Sequence, residues 1–88
     1  MTQGEDDMNI LESKFAITLL LEIAENEGQT QIALCRGTRT KAIRLKELED
    51  EWLIRRVRVR DHNAVRVYLT DKGRRVAPYL RYVMEVLQ

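Results

Sequence analysis

The chain has 88 residues, one cysteine and a formal net charge of +1, and these values limit what it can be. This length accommodates one small domain with a modest core. A single cysteine, Cys35, excludes an internal disulfide and a cysteine-based zinc site, and we expect it to be a small buried apolar residue rather than a redox switch. No signal-peptide pattern or membrane-spanning apolar stretch is evident, so we expect a cytoplasmic protein with no membrane partner.

The charge is distributed unevenly along the chain. Residues 1–27 hold seven acidic residues and one basic residue, a net charge of −6, whereas residues 28–88 hold fourteen basic and seven acidic residues, a net charge of +7. Within the second part, residues 36–46 hold five basic residues and no acidic one. Because a bland charged surface would mix the two signs more evenly, this separation favours an anionic partner.

The first predicted element follows an acidic segment, residues 1–8, which we expect to be disordered. Asn9 and Glu12 match a capping box, in which the Asn9 side chain accepts a hydrogen bond from the amide of Glu12. Apolar residues then recur at helical spacing as far as Ala24, and Gly28 is placed to end this first helix.

Two further helices are predicted to meet at a glycine. Thr30 can cap the second helix and Gly37 can end it, while Thr38 can cap a third helix that extends to about Asp50. Two helices joined by a tight turn form the helix-turn-helix pattern, although many α-hairpins share this spacing. On the third helix an apolar stripe lies opposite a basic side: Ala42, Leu45 and Leu48 against Arg39, Lys41, Arg44 and Lys46.

A β-hairpin is predicted next, because valine and arginine alternate on both sides of a short polar loop. We expect Val57 to pair with Val67, a register that places Arg58 directly opposite Arg66 on an outer face rich in arginine. Like charges that face each other destabilise such a pair by up to about 1 kcal/mol, so this face favours an anionic ligand. The alternative interpretation is a charged edge that prevents aggregation between strands.

A last helix is predicted to start after Thr70, whose side chain can cap it, with Asp71 near the positive end of the helix dipole. Pro78 lies inside this helix and is expected to kink or split it. The apolar stripe on the helix exceeds what an 88-residue core can cover, which predicts pairing with the same helix of a second copy. The residues expected at this homodimer interface are Val76, Leu80, Val83 and Leu87.

Two motifs accompany this order of elements: Leu45-Lys46-Glu47-Leu48-Glu49 running into Leu53-Ile54-Arg55-Arg56, and Val67-Tyr68-Leu69-Thr70-Asp71-Lys72-Gly73. Together, the order and the motifs resemble the winged helix-turn-helix domains of the MarR, ArsR and PadR transcription regulators. The resemblance covers about residues 10–88 and implies an α+β, mostly helical fold: a three-helix core, a β-hairpin wing and a C-terminal helix. It implies a DNA-binding domain over residues 9–71 and a dimerisation helix of the same domain over residues 72–88.

The chain departs from the family pattern at two positions. Trp52 stands where the family usually has a glycine at the end of the third helix, and tryptophan is strained in the left-handed conformation. We therefore expect this turn to be built differently here. Lys41 stands where many relatives place an apolar residue, which leaves the rotation of the third helix open.

Three regions are expected to contact double-stranded DNA, the first two of them by the resemblance. The third helix would enter the major groove, where arginine can donate to a guanine edge; its candidates are Thr38, Arg39, Thr40, Lys41 and Arg44. The wing would lie along phosphates or in the minor groove; its candidates are Arg58, Arg60, His62 and Arg66. At the start of the second helix, a phosphate could be held by Thr30 and Gln31.

Each region also has an interpretation without DNA. The basic side of the third helix can be a solvated face on which Arg44 pairs with Glu47 and Lys46 with Asp50, and the lone His62 can be a polar loop residue.

No nucleophile–base pair, phosphate-binding glycine loop or metal-ligand cluster is present, so we expect no enzyme, metal or cofactor. No small-molecule ligand is evident. The sequence thus predicts a homodimeric, sequence-specific DNA-binding regulator, with a winged-helix protein–protein interaction module as the alternative.

Overall fold

The computed structural model describes residues 9–60 and 64–87, so the expectations for residues 1–8 and for His62 lie outside the described residues. The elements are α1 Ala16–Glu25, α2 Gln31–Cys35, α3 Arg39–Asp50, β1 Ile54–Val59, β2 Ala64–Leu69 and α4 Asp71–Leu87. The two strands form an antiparallel hairpin. The predicted class is confirmed: an α+β, mostly helical fold with three helices, a hairpin and a last helix.

One apolar core joins the first three helices, the hairpin and the first half of α4. The buried apolar side chains are Ala16, Leu19, Leu20, Ile23, Leu34, Cys35, Leu45, Leu48, Leu53, Ile54, Val67, Leu69 and Ala77. Cys35 is buried as predicted, and this burial raises the pKa of its thiol. The core thereby fixes which sides of α3 and of the hairpin remain exposed.

Helix α1 begins later than predicted. The Asn9 side chain accepts from the amide of Leu11 at 2.8 Å, not from Glu12, and the chain forms a short 3-10 helix, Ile10–Glu12. Phe15 then adopts a left-handed conformation with φ of +72°, which separates this turn from α1. At the other end the capping residue is Asn26, so the prediction that Gly28 caps the helix is wrong.

The tight turn between α2 and α3 is formed by two consecutive left-handed residues. Thr30 caps α2 as predicted, because its hydroxyl accepts from the amide of Ala33 at 3.2 Å. Arg36 has φ of +49° and Gly37 has φ of +78°, which reverses the chain into α3. Thr38 occupies the capping position of α3, but its side chain makes no capping hydrogen bond.

The end of α3 differs from the expectation in one important respect. Trp52 does adopt the left-handed conformation, with φ of +63°. The amide of Trp52 donates to the carbonyl of Glu49 at 2.9 Å, and the amide of Leu53 donates to the carbonyl of Leu48 at 3.0 Å. This is the bonding of a Schellman motif, which satisfies the last carbonyls of the helix despite the strain at a non-glycine residue. The Trp52 side chain is 74% exposed, so it projects away from the turn.

The register of the hairpin differs by one residue from the prediction. Val57 pairs with Arg66 and Arg58 pairs with Val65, so Arg58 and Arg66 do not face each other. The predicted outer face of arginine is therefore wrong. Packing decides the register: a shift of one residue would move the apolar residues of a strand to the other face. Here Arg56 lies opposite the fully buried Val67, on the side that faces the helices.

Helix α4 is attached to the end of α3 by two close contacts. The hydroxyl of Thr70 accepts from the amide of Gly73 at 3.0 Å and donates to the carbonyl of Trp52, so the predicted cap is confirmed. A Cβ atom on Gly73 would lie 2.1 Å from the carbonyl oxygen of Leu53, so only glycine allows this approach. The helix continues through Pro78 without being split. Within the described ranges, no helix is both long enough and apolar enough to cross a membrane.

Candidate nucleic-acid interface

The solvent-facing side of α3 is defined by its packing. Leu45 and Leu48 are fully buried against the core. Successive residues of an α-helix are about 100° apart, so Ile43 lies about 160° around the helix from Leu45. Ile43 is 46% exposed. The residues that recur along this outward side form what we call the α3 stripe: Arg39, Ile43, Lys46 and Asp50.

Two of the predicted recognition residues are turned away from the α3 stripe. Lys41 lies on the side of the helix that contacts the start of α1, with its Nζ 5.2 Å from the centre of the Phe15 ring. Arg44 has a side chain only 16% exposed, pairs with Glu47, and donates from Nε to the carbonyl of Lys14 at 2.9 Å. Both residues therefore hold α3 against the segment that leads into α1.

The position of Lys41 also accounts for its departure from the family pattern. Its ammonium group shares the Phe15 ring with that of Lys14, whose Nζ lies 5.1 Å from the ring centre. A lysine side chain can cover apolar surface with its methylene groups while its charge stays in water. Lys41 therefore occupies a packing position of α3, and the outward side is left to other residues.

The polar residues of the α3 stripe keep their charges in water. Lys46 pairs with Asp50 at 3.6 Å, as the interpretation without DNA anticipates. Both side chains are exposed, and such a pair stabilises by less than about 1 kcal/mol. Within the described residues Arg39 makes no hydrogen bond or ion pair, and it lies one turn before Ile43. Arg39 is therefore available to a bound anion, and Lys46 would give up only a weak, exposed ion pair with Asp50 to contact one.

Arg56 connects α2, α3 and β1. Its Nε and Nη2 donate to Oε1 of Glu49 at 3.1 and 2.7 Å, and its Nη1 donates to Oε1 of Gln31 at 3.1 Å. The hydrogen bond from Arg56 lowers the pKa of the Glu49 carboxyl. Gln31 and the capping residue Thr30, both predicted as phosphate contacts, thus take part in hydrogen bonds within the protein.

The wing candidates differ in how exposed they are. Arg58 and Arg60, near the tip of the hairpin, are exposed. Arg66 is half-buried and donates from Nη1 to the carbonyl of Gly28 at 2.6 Å, which ties the hairpin to the loop before α2. Arg55 lies over the Tyr68 ring at 5.0 Å. The sequence singled out Arg66, but the structure places it in a fold-stabilising contact.

Helix α3 and the start of the hairpin form the two sides of one groove. The groove has a volume of about 550 Å³ and is lined by Arg39, Ala42, Ile43, Lys46, Glu47, Asp50 and Arg56. Three of these residues, Arg39, Lys46 and Arg56, carry positive charge, two, Glu47 and Asp50, carry negative charge, and Ala42 and Ile43 are apolar. Ile43, Lys46 and Arg56 were absent from the predicted site. Ile43 lies four residues after Arg39 and Lys46 three residues after Ile43, a spacing that places these three residues on one helix face.

The dimer candidates on α4 also divide into two groups. Val76 and Leu80 pack partly against the core of the same chain. Val83 and Leu87 are exposed, and they are accompanied by further exposed apolar residues outside the predicted interface: Tyr79, Tyr82, Met84 and Val86. The exposed apolar surface thus lies mainly on the second half of the helix.

No protein-family model matches the chain. No curated protein matches it either. Among solved structures, FabT of Streptococcus pneumoniae in complex with DNA is similar, with 20% sequence identity, a TM-score of 0.74 and coverage of 97% of this chain and 60% of FabT. A MarR transcriptional regulator from Methanosarcina mazei Go1 has 26% identity, a TM-score of 0.70 and coverage of 80% of this chain and 49% of that protein.

A third similar structure, F-93 of SSV1, has 25% identity, a TM-score of 0.70 and coverage of 82% of this chain and 87% of F-93. The chain therefore spans about half of the Methanosarcina regulator but most of F-93. These similarities confirm the predicted resemblance to winged helix-turn-helix transcription regulators at the level of the fold. In that fold α3 is the second helix of the helix-turn-helix, and the hairpin of β1 and β2 is the wing.

Proposed function

We propose that this winged helix-turn-helix chain is a transcription regulator that binds double-stranded DNA in a sequence-specific manner as a homodimer. The observation that carries this proposal is the groove between α3 and the hairpin. On its two sides Arg39, Lys46 and Arg56 surround the outward face of α3, which in this proposal enters the major groove. DNA carries one negative charge per about 1.7 Å of helix axis, which matches a surface with several separated cations.

The two basic regions have different tasks in this proposal. Arg39, which has no internal partner within the described residues, donates to a base edge, with guanine as the preferred acceptor. Thr38 and Thr40 contact phosphate or sugar beside the amino end of α3. Arg58 and Arg60 lie along the backbone or in the minor groove, where they contribute affinity without distinguishing sequences. The complex of FabT with DNA supports this use of the fold.

We also propose that α4 pairs with α4 of a second copy. Tyr79, Val83 and Val86 recur at a spacing of four and three on its exposed side, and Leu87 extends this surface. An exposed apolar surface of this kind is typical of an interface, and a two-fold dimer repeats it on both subunits. Two recognition helices related in this way contact half-sites about one helical turn apart.

Sedimentation of the purified chain tests the dimer. At tens of micromolar we expect a dimer for the unchanged chain and a monomer for Val86→Asp, because a buried carboxylate at the interface has no partner. Arg75→Gln, an exposed change on the same helix, serves as the control and should leave the dimer intact. A monomeric unchanged chain would contradict the dimer.

Selection of duplexes from a random pool tests the sequence specificity. We expect an enriched motif with two symmetrical half-sites. The alternative function, a protein–protein interaction module, is favoured by one observation: Ile32 on α2 is 82% exposed next to α3. A pool that shows no enrichment at low salt would favour that alternative.

A further inference from the structure

Ile43 is an unusual residue for its position on α3. It is an apolar side chain in the centre of the α3 stripe, it lies about 160° from the buried Leu45, and it is 46% exposed. An isoleucine in this position does not pack against the core. It also contributes less to helix stability than leucine or lysine would, because branching at Cβ restricts its side chain.

The surroundings of Ile43 indicate what covers it. Arg39 lies one turn before it and Lys46 lies nearly one turn after it, and all three line the same groove. A ligand that binds there must offer an apolar group between anionic or acceptor groups. Duplex DNA has this combination in its major groove, where thymine exposes a C5-methyl group between acceptors and the flanking phosphates. Glu47 and Asp50 also line the groove and Lys46 pairs with Asp50, but Arg39 makes no ion pair within the described residues, so its charge favours this ligand over an uncharged apolar peptide.

We propose that Ile43 packs against the methyl group of a thymine and thereby specifies a T·A pair in each half-site. This inference rests on the proposed function and goes beyond it by naming the base that the centre of the groove selects. Arg39 and Lys46 position the helix at that base, and the side chain of Ile43 excludes water from the methyl group. Cytosine has no methyl group, so it leaves Ile43 uncovered.

Removal of a single methyl group from the DNA tests the proposal directly. In duplexes recovered from the random pool, each thymine is replaced in turn by deoxyuridine, which changes only the C5-methyl group. For the unchanged protein we expect one position per half-site at which the affinity falls by roughly four-fold. Burial of about one methyl group contributes a factor of this size to the affinity. Elsewhere the replacement should have no effect.

The matching protein variant is Ile43→Ala, which should bind thymine and uracil duplexes equally at that position. Ile32→Ala is the control, because it truncates a more exposed isoleucine on α2 and should keep the four-fold difference. Unfolding measurements on both variants confirm that they fold. If no thymine is sensitive, or if Ile43→Ala keeps the difference, the proposal is wrong even though the protein binds DNA. If no duplex binds, the proposed function fails with it.

Discussion

Glu49 on α3 and Arg56 on β1 are joined by their side chains, with Nη2 of Arg56 2.7 Å from Oε1 of Glu49. This pair connects α3 to the wing, and Arg56 also forms part of the groove wall. The arrangement sets the angle between the two regions that are proposed to contact DNA.

The Glu49–Arg56 pair predicts a pH dependence of stability. Because the hydrogen bond from Arg56 lowers the pKa of Glu49 below its ordinary value of 4.5, the pair stabilises the fold above that pH. This contribution is lost as the pH falls through the lowered pKa of the folded state. We expect Glu49→Gln to reduce the free energy of unfolding by at most about 1 kcal/mol at neutral pH and to have little effect in acid.

Chemical denaturation between about pH 7 and about pH 3 measures this difference. The control is Glu85→Gln, because Glu85 is exposed and makes no ion pair within the described residues. A Glu49→Gln variant whose deficit stays constant across this range would contradict the assigned role of the carboxylate.

Arg39 and Arg44 are both basic residues of α3, but we predict that Arg39 contributes to DNA binding and Arg44 to the stability of the fold. Arg39→Ala should cost about 1–3 kcal/mol of binding energy at particular base positions and leave stability nearly unchanged. Arg44→Ala should lower the free energy of unfolding by about 1 kcal/mol, because it removes the hydrogen bond to Lys14 and the pair with Glu47. Binding to selected duplexes and thermal unfolding, measured on both variants, distinguish the two roles. A base-specific loss for Arg44→Ala with normal stability would reverse this assignment.

In the wing, we predict that Arg60 contributes to DNA affinity and Arg66 to the stability of the fold. Arg60→Gln should weaken binding to all duplexes alike. It should also make the slope of log K against log salt less steep by about 0.9, because one fewer phosphate is neutralised and its counterion is no longer released. Arg66→Gln should instead reduce stability, since it removes the bond to the Gly28 carbonyl. Titrations at several salt concentrations, with Arg75→Gln on α4 as the control, measure the slopes. An unchanged slope for Arg60→Gln would remove the wing tip from the DNA interface.

Trp52 predicts a stabilising substitution. Its left-handed conformation costs about 1–2 kcal/mol for a residue with a Cβ atom, and its exposed side chain buries little surface in return. Trp52→Gly should therefore raise the free energy of unfolding, by about 0.5–1 kcal/mol once the greater freedom of glycine in the unfolded chain is counted. Urea denaturation measures the change. A lower stability for Trp52→Gly would show that the indole contributes more packing than its exposure indicates.

The order of elements could be predicted because local signals are strong at the ends of the helices. Thr30 and Thr70 cap their helices in the structure as the sequence indicates. The register of the hairpin could not be predicted, because valine and arginine alternate in both strands and two registers satisfy that pattern. Packing of Val67 against the core decides the register, and Arg56, which lies opposite Val67, then contacts Glu49 and Gln31, partners that are distant in sequence.

Only some of the residues that line the candidate groove could be predicted from the sequence, for a related reason. Spacing identifies the basic residues of α3, but it does not say which side of the helix is packed. Lys41 takes a packing position over Phe15, which rotates the outward side toward Ile43 and Lys46. An isoleucine on a predicted helix is assigned to the core by default, so its exposure became evident only from the three-dimensional packing.

The central claim, that the groove and the wing bind the DNA backbone and bases, is tested most directly by duplex affinity across a salt series. Arg58 and Arg60 from two protomers would contact about four phosphates, and each contributes about 0.9 to the slope of log K against log salt. The account predicts a slope steeper than about −3 for every duplex, with the selected duplex bound more tightly throughout. Undetectable binding at low salt, or an affinity that does not depend on salt, would contradict it.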